Sequence, residues 1–463
     1  MNEHNENLVK IILASSIGTV VEWYDFFVYG SLSTTLASIF YHTGTPTGDL
    51  TAFLASYAVG FIVRPFGAVA FGIIGDYVGR KYTFVLSLII MGFSTFLIGC
   101  VPTVSGPYSI GPSAGFILII LRLIQGLAIG GEYGGAVTFI SEHVPNEKRG
   151  FYTSFIQLSV VLGLVCSLMV ISIVSFIVGE DNFAIWGWRI CFWLSIFLVC
   201  GALYIRVQLT ETPIFEKTKG QGKSPKSAWE SFTMTFGNSY NLKYIVIAVF
   251  GATVGQGIVF YTSQFYVLTF IQDTLKVPLQ TSYYLVGIPL AIVSPLYILV
   301  GYLSDRYGRK PFIMTGLALA FLTYYPLYLA IYHYRPFLDP ASDALVDNPH
   351  YNPYMISVIV GILSTYSSLC YAPIGAFLAE LFPTNIRYTC LSVTYHIGNG
   401  IFGGLVPLIG VLVSTSTNKT FYGLLYPIIG CFICFVIGIA YVDETYLVDI
   451  YEIPSTAQYF SEV

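Results

Sequence analysis

The chain has 463 residues, of which 55% are hydrophobic and 16% aromatic and only 10% charged; mean hydropathy is +0.72. Soluble domains carry about 25% charged residues, so this composition excludes an ordinary soluble enzyme and fits a chain built to sit in lipid. The net charge is −4 with no concentrated basic stretch, which gives no support to nucleic-acid binding.

A helix needs about 20 mostly apolar residues to cross a bilayer. Twelve runs qualify in chain order: 8–40, 51–74, 82–101, 113–141, 151–178, 188–209, 242–271, 281–303, 311–332, 353–381, 388–415 and 421–442. The first is too long for a signal-peptide core and lacks a small-residue cleavage site after it, so it reads as a retained membrane helix. The expected class is therefore all-α and integral to the membrane. Residues 1–209 form a first six-helix half, 210–241 a lysine-bearing linker, 242–442 a second half and 443–463 an acidic, solvated tail. The Lys/Arg bias sets orientation. With the N-terminus inside, fifteen Lys and Arg lie on the inner side, Arg206 among them. Only Arg189, Lys276, Arg335 and Lys419 lie outside. Both termini are expected in the cytoplasm.

Two motifs occur twice. Gly72-x-x-x-Asp76-x-x-Gly79-Arg80-Lys81 returns as Gly301-x-x-x-Asp305-x-x-Gly308-Arg309-Lys310, and Glu142-x-x-Pro145-x-x-x-Arg149 returns as Glu380-x-x-Pro383-x-x-x-Arg387. Motifs repeating in the same order at nearly one spacing imply two homologous halves, with the longer loop at 334–352 absorbing the difference in offset. The first motif falls at short inner turns, where glycine permits close helix approach and Asp and Arg can bond across helix ends. In the second, proline ends the helix and Glu can reach an Arg of the neighbouring turn. Asp76–Arg80–Glu142 and Asp305–Arg309–Glu380 are read as two equivalent inner latches, with Arg149 and Arg387 beside them.

This pattern resembles the major facilitator superfamily over essentially the whole chain. Shorter runs narrow the resemblance: Gly18-Thr-Val-Val-Glu22-Trp-Tyr-Asp25-Phe-Phe-Val-Tyr-Gly30, Arg64-Pro65-x-Gly67, Arg122-Leu-Ile-Gln125-Gly126 through Gly135, Trp186-Gly-Trp188-Arg189 and Glu211-Thr-Pro213-x-Phe215. Together they look like the metabolite:proton symporters, the group of proline/betaine, α-ketoglutarate, citrate and shikimate permeases. The resemblance implies a secondary transporter of the plasma membrane, with a small molecule and a proton as partners.

Ionisable residues at bilayer depth are costly and suggest function. Here they are Glu22, Asp25, Arg64, Arg122, Glu132 and His396. At about 1.5 Å rise per residue, Glu22, Arg64 and Glu132 sit at similar depths and can form an inner cluster, while Asp25 and Arg122 can meet nearer the middle. Glu22 and Asp25, three apart, share a helical face. Two buried carboxyls together favour holding a proton, so Asp25 or Glu132 is the expected coupling carboxyl, with Arg122 and Arg64 as switching partners or anchors for a substrate carboxylate. The alternative is a permanent salt-bridge network gluing the helices. His396, near Asn399, reads either as a satisfied core histidine or as a cavity residue. Of the other polar residues on apolar helices, Gln157 and Gln256 are the best candidates to line a central cavity.

The eight cysteines lie in apolar runs and read as small hydrophobes; Cys431-x-x-Cys434 has no His or second pair to make a metal site. No cofactor is expected. The expected function is proton-coupled import of a small organic metabolite, favoured to carry a carboxylate, by a monomer working through alternating access. A facilitator or antiporter of the same fold, for example for a sugar, is the alternative. A channel filter, a soluble signalling domain, a nucleophile with its base, a zinc-protease signature and a nucleotide motif are all missing from the sequence.

Overall fold

A computed structural model describes residues 2–105, 109–207, 227–337 and 347–450, with isolated positions 211, 216 and 225, and not the side chains of residues 2–11, 14 and 80. Its first helix, α1 (Asn2–Ser31), continues through a short helix, Ser33–Phe40. Eleven further helices are long and apolar enough to span a membrane: α2 (Pro46–Tyr77), α3 (Lys81–Cys100), α4 (Ser113–Ser141), α5 (Asn146–Val178), α6 (Glu180–Val207), α7 (Ser239–Thr274), α8 (Leu279–Tyr307), α9 (Lys310–His333), α10 (Pro353–Leu381), α11 (Arg387–Thr417) and α12 (Tyr422–Tyr441). With α1 they make the twelve-helix, all-α membrane fold. Large apolar side chains point outward, Phe176 at 84% and Ile292 at 73% exposure, as lipid contact requires.

The packing is two-fold in pattern. In the first six helices α1 packs on α5 and α6, α4 on α2 and α3, and α3 on α6; in the second six α7 packs on α11 and α12, α10 on α8 and α9, and α9 on α12. Between the sets, α5 meets α8 and α2 meets α11. Glycine enables the closest contacts. A β-carbon on Gly126 would strike the Gly60 carbonyl, and one on Gly130 the Arg64 carbonyl, so α4 lies against the backbone of α2. Of the linker at 210–241, residues 210, 212–215, 217–224 and 226 lie outside the described residues; Ala228–Phe236 is a helix, capped by the Ser227 side chain, and α7 begins at Ser239.

Several helices are locally broken. Pro65 has no amide donor, and α2 interrupts at Val63, between Pro46–Ile62 and Arg64–Tyr77. In α7 and α11, widened π turns at Val249–Thr253, Thr262–Tyr266 and His396–Gly403 flank or contain Gln256, His396 and Asn399. Such turns re-aim side chains and gather at functional sites.

Candidate functional site

The buried ionisable groups fall into three places. Toward the end of the bundle that carries the repeated motifs, Arg206 on the last turn of α6 donates to Glu22 at 2.6 Å, to Glu132 at 2.6 and 3.2 Å and to the Phe84 carbonyl at 2.9 Å. Ser87 donates to Glu132 at 3.1 Å. All three charged side chains are 0–3% exposed. The expected cluster of Glu22, Arg64 and Glu132 is thus corrected: its cation is Arg206, which the charge-bias reading placed in the inner loop set. Depth along separate helices fixed height but not facing. The break at Val63 instead lays Arg64 among aromatic rings.

Those rings define the second place. The Arg64 ζ carbon lies 4.2 Å from the Phe26 ring centre and 4.3 Å from that of Phe61, with Trp23 at 5.6 Å. Arg122 lies 4.4 Å from Phe26, 4.4 Å from Tyr29 and 4.8 Å from Tyr57. Both guanidiniums are fully buried, and neither pairs with a carboxylate among the described residues. Arg122 is aimed by Gln125, to which it donates at 2.7 Å; Gln125 in turn donates to Thr95 at 2.7 Å. All three Arg64 nitrogens and two of Arg122 lack a hydrogen-bond acceptor among the described residues. Arg64 and Arg122 therefore offer donors to an anion inside an aromatic cage, an arrangement in which cation–π attraction substitutes for part of the lost hydration. Asp25 does not meet Arg122, as depth alone suggested. It is fully buried and faces the Ser195 hydroxyl of α6, neither carboxyl oxygen closes a hydrogen bond of good geometry among the described residues, and Ser195 is turned to the Gly92 carbonyl at 3.5 Å.

From the second set, α7 and α11 close over this cage. Phe61 meets Tyr261 edge-on at 5.2 Å. Asn399 donates to Gln256 at 3.2 Å and to the Tyr395 hydroxyl at 3.1 Å, and Tyr395 is hydrogen-bonded to Tyr371. Within the first set Gln157 donates to Tyr133 at 2.6 Å, and across the sets the Tyr133 and Tyr395 rings stack with centres 3.5 Å apart. His396 is fully buried against Tyr395, and neither ring nitrogen has a partner among the described residues, so it is not a satisfied core histidine. The tyrosines of this layer escaped the sequence reading because 36 tyrosines make any three indistinguishable.

The third place is that end of the bundle itself, where the repeated motifs lie. Arg309 pairs with Asp305 at 2.8 Å and with Glu380 at 2.9 Å. In the other copy the Arg80 side chain lies outside the described residues. The structure adds links that run between the sets. Asp305 accepts the amides of Gly150 and Phe151, each at 2.7 Å, on the first turn of α5; Asp76 accepts the Thr389 amide at 3.1 Å and hydroxyl at 2.6 Å on the first turn of α11. A carboxylate there meets free amides and the positive end of the helix dipole. The two Glu-x-x-Pro-x-x-x-Arg copies pair reciprocally, Arg149 with Glu380 and Arg387 with Glu142, both at 2.9 Å and fully buried. A third repeat went unrecognised: Glu211-Thr and Glu444-Thr. Glu211 accepts the Lys81 amide at 3.2 Å, and Glu444 accepts those of Arg309 and Lys310 at 2.8 and 3.0 Å.

Twelve membrane helices in two like-packed sets, joined at one end by reciprocal ion pairs and enclosing a buried polar layer, define a membrane transporter. The chain belongs to the Major Facilitator Superfamily, whose profile matches residues 16–387. It is 30% identical over 424 residues to the Proline/betaine transporter of Escherichia coli (strain K12), covering 89% of this chain and 79% of that one. It is 31% identical over 429 residues to the Inner membrane metabolite transport protein YhjE of the same organism, covering 90% of each. The proton:xylose symporter XylE bound to 6-bromo-6-deoxy-D-glucose superposes with a TM-score of 0.75 at 17% identity, over 97% of this chain and 98% of that one. At that identity the likeness speaks for the fold alone.

Proposed function

We propose that the protein imports a small carboxylate-bearing metabolite together with a proton, working as a monomer by alternating access, with both termini in the cytoplasm. The observation that carries this reading is the pair of fully buried guanidiniums, Arg64 and Arg122, without a carboxylate partner among the described residues. An anion entering the aromatic cage supplies the charge they lack. Proline and betaine, named for one relative, both bear a carboxylate, and the solved neighbour is named a proton symporter.

In this reading the halves at 1–209 and 242–442 are the moving units, joined through 210–241. Each bound substrate carboxylate adds one negative charge beside Arg64 and Arg122. A proton on Asp25 balances it, so proton and substrate favour each other's binding, and that mutual preference is the coupling. The inner ion pairs close one side while the other admits substrate.

Thermal stability of the purified protein against a panel of carboxylates, betaines and sugars tests the substrate class. A carboxylate is expected to raise the unfolding midpoint, and its amide or methyl ester to fail. Stabilisation by a sugar and by no carboxylate would favour a sugar carrier instead.

A further inference from the structure

The segment 443–450 follows α12, and its acidity suggests a solvated tail. The structure corrects that expectation. Val442, Thr445, Val448 and Ile450 are 0–3% exposed, whereas Leu447 between them is 77% exposed. The chain turns at Tyr446–Leu447, where the Val448 amide donates to the Thr445 carbonyl at 2.9 Å, and a turn that buries the positions on either side of one exposed residue is laid against a surface. Here that surface is the set of inner ion pairs. Thr445 donates its hydroxyl to Glu380 at 2.7 Å. Arg149, already bonded to Glu380, also donates to the Val448 carbonyl at 3.4 Å. Arg387, already bonded to Glu142, donates to the Ile450 carbonyl at 3.4 Å, and Lys310 holds the start of the segment through the Val442 carbonyl at 2.7 Å.

We propose that residues 445–450 are a strap that holds the inner gate shut, and that its release is a step in opening toward the cytoplasm. Both arginines it touches are the ones that pair between the two six-helix sets. Arg149 comes from α5, while Glu380, Thr445 and Val448 all follow in the second set. Parting α5 from α10 breaks the Arg149–Glu380 pair and the Val448 bond together. Arg387 is aimed by the Ala379 and Phe382 carbonyls at 3.0 and 3.1 Å, and the strap fills one of its remaining donors. Glu380 thus gathers Arg149, Arg309 and Thr445, so the strap and both sets converge on one carboxylate. This assignment rests on the two sets being the moving units.

Hydrogen–deuterium exchange in lipid nanodiscs tests it without any substrate. The peptides to follow are 146–155 and 384–392, which hold the amides bonded to Asp305 and Asp76. The full chain, a chain ending at Ile450 and a chain ending at Tyr446 are compared. Hydrogen bonds to charged groups are the stronger kind, so both peptides are expected to exchange about tenfold faster in the chain ending at Tyr446 than in the chain ending at Ile450. Equal exchange in the two would overturn the strap. Should the shorter chain fail to fold, Thr445→Val in the full chain removes only the bond to Glu380. About threefold faster exchange at the same peptides is then expected, and unchanged exchange overturns the proposal. A transporter lacking the strap still transports, so substrate uptake by the chain ending at Tyr446 separates failure of this inference from failure of the transport reading.

Discussion

Replacing Arg206 with methionine, which keeps most of its bulk, removes the one cation shared by Glu22 and Glu132. The structure gives three bonds from its guanidinium to two carboxylates at 2.6–3.2 Å, in a setting no more than 3% exposed. Removing one partner of a buried pair costs about 3–5 kcal/mol, because the other charge is left without compensation. At about 1.4 kcal/mol per tenfold, that is at least a hundredfold in the folded-to-unfolded ratio. Two stranded carboxylates place Arg206→Met at the upper end of the range. Glu22→Gln or Glu132→Gln, each leaving one carboxylate with Arg206, costs less, about 1 kcal/mol. The triple variant Glu22→Gln, Glu132→Gln, Arg206→Met has no stranded charge and regains most of the loss. Thermal unfolding of the purified proteins in detergent reads the order. If Arg206→Met lies within about 1 kcal/mol of the parent, or the triple variant is no better than the single, the triad is not the buried ion cluster described here.

Other consequences are as direct. Asp25→Asn is expected to bind substrate and exchange it across the membrane while losing substrate-driven proton uptake; retained uptake, followed by internal pH, would remove Asp25 from the coupling. Arg64→Gln and Arg122→Gln should each weaken carboxylate binding at least tenfold, by loss of a charge-assisted bond, with Arg64→Lys recovering only part because it lacks the fork geometry; equal affinity by calorimetry contradicts the cage. Exchanging the charges of one reciprocal pair, Arg149→Glu with Glu380→Arg, leaves Arg309 facing a like charge and should abolish transport, measured as substrate uptake into liposomes. Gly126→Val drives a side chain into the Gly60 carbonyl and should cost about 1–3 kcal/mol of stability, measured as a lower unfolding midpoint.

How much of this was legible beforehand depends on the kind of signal. The membrane helices and the two repeated motifs are written in composition and spacing, and the chain displays both openly. Asp305 and Arg309 come together because they stand four apart across one turn, and Glu380, 71 residues on, joins them from α10 as the repeated motifs suggested. The reciprocal pairing of Arg149 with Glu380 and Arg387 with Glu142 was not legible, since nothing in a repeat says whether its copies bond within or between halves. Arg206 escaped for a different reason. A charge-bias count assigns every terminal arginine to the loop side, yet a long side chain on a last turn can reach back into the helix bundle. Arg64 and Asp25 were given the wrong azimuth, because rise per residue is fixed by the helix whereas facing is set by neighbours and by the break at Val63. The segment 445–450 looked solvated because it was judged with the whole stretch after Val442, which carries Asp443, Glu444, Asp449, Glu452 and Glu462, rather than by its own Leu447, Val448 and Ile450.

The most direct test of the account is substrate-driven proton entry. The protein is reconstituted in liposomes holding a pH-sensitive dye, with no imposed gradient, and single carboxylates are added outside. The account predicts internal acidification with one class of carboxylate, absent with Asp25→Asn. Uptake of the same carboxylate without acidification would contradict it and leave a facilitator built on the same fold.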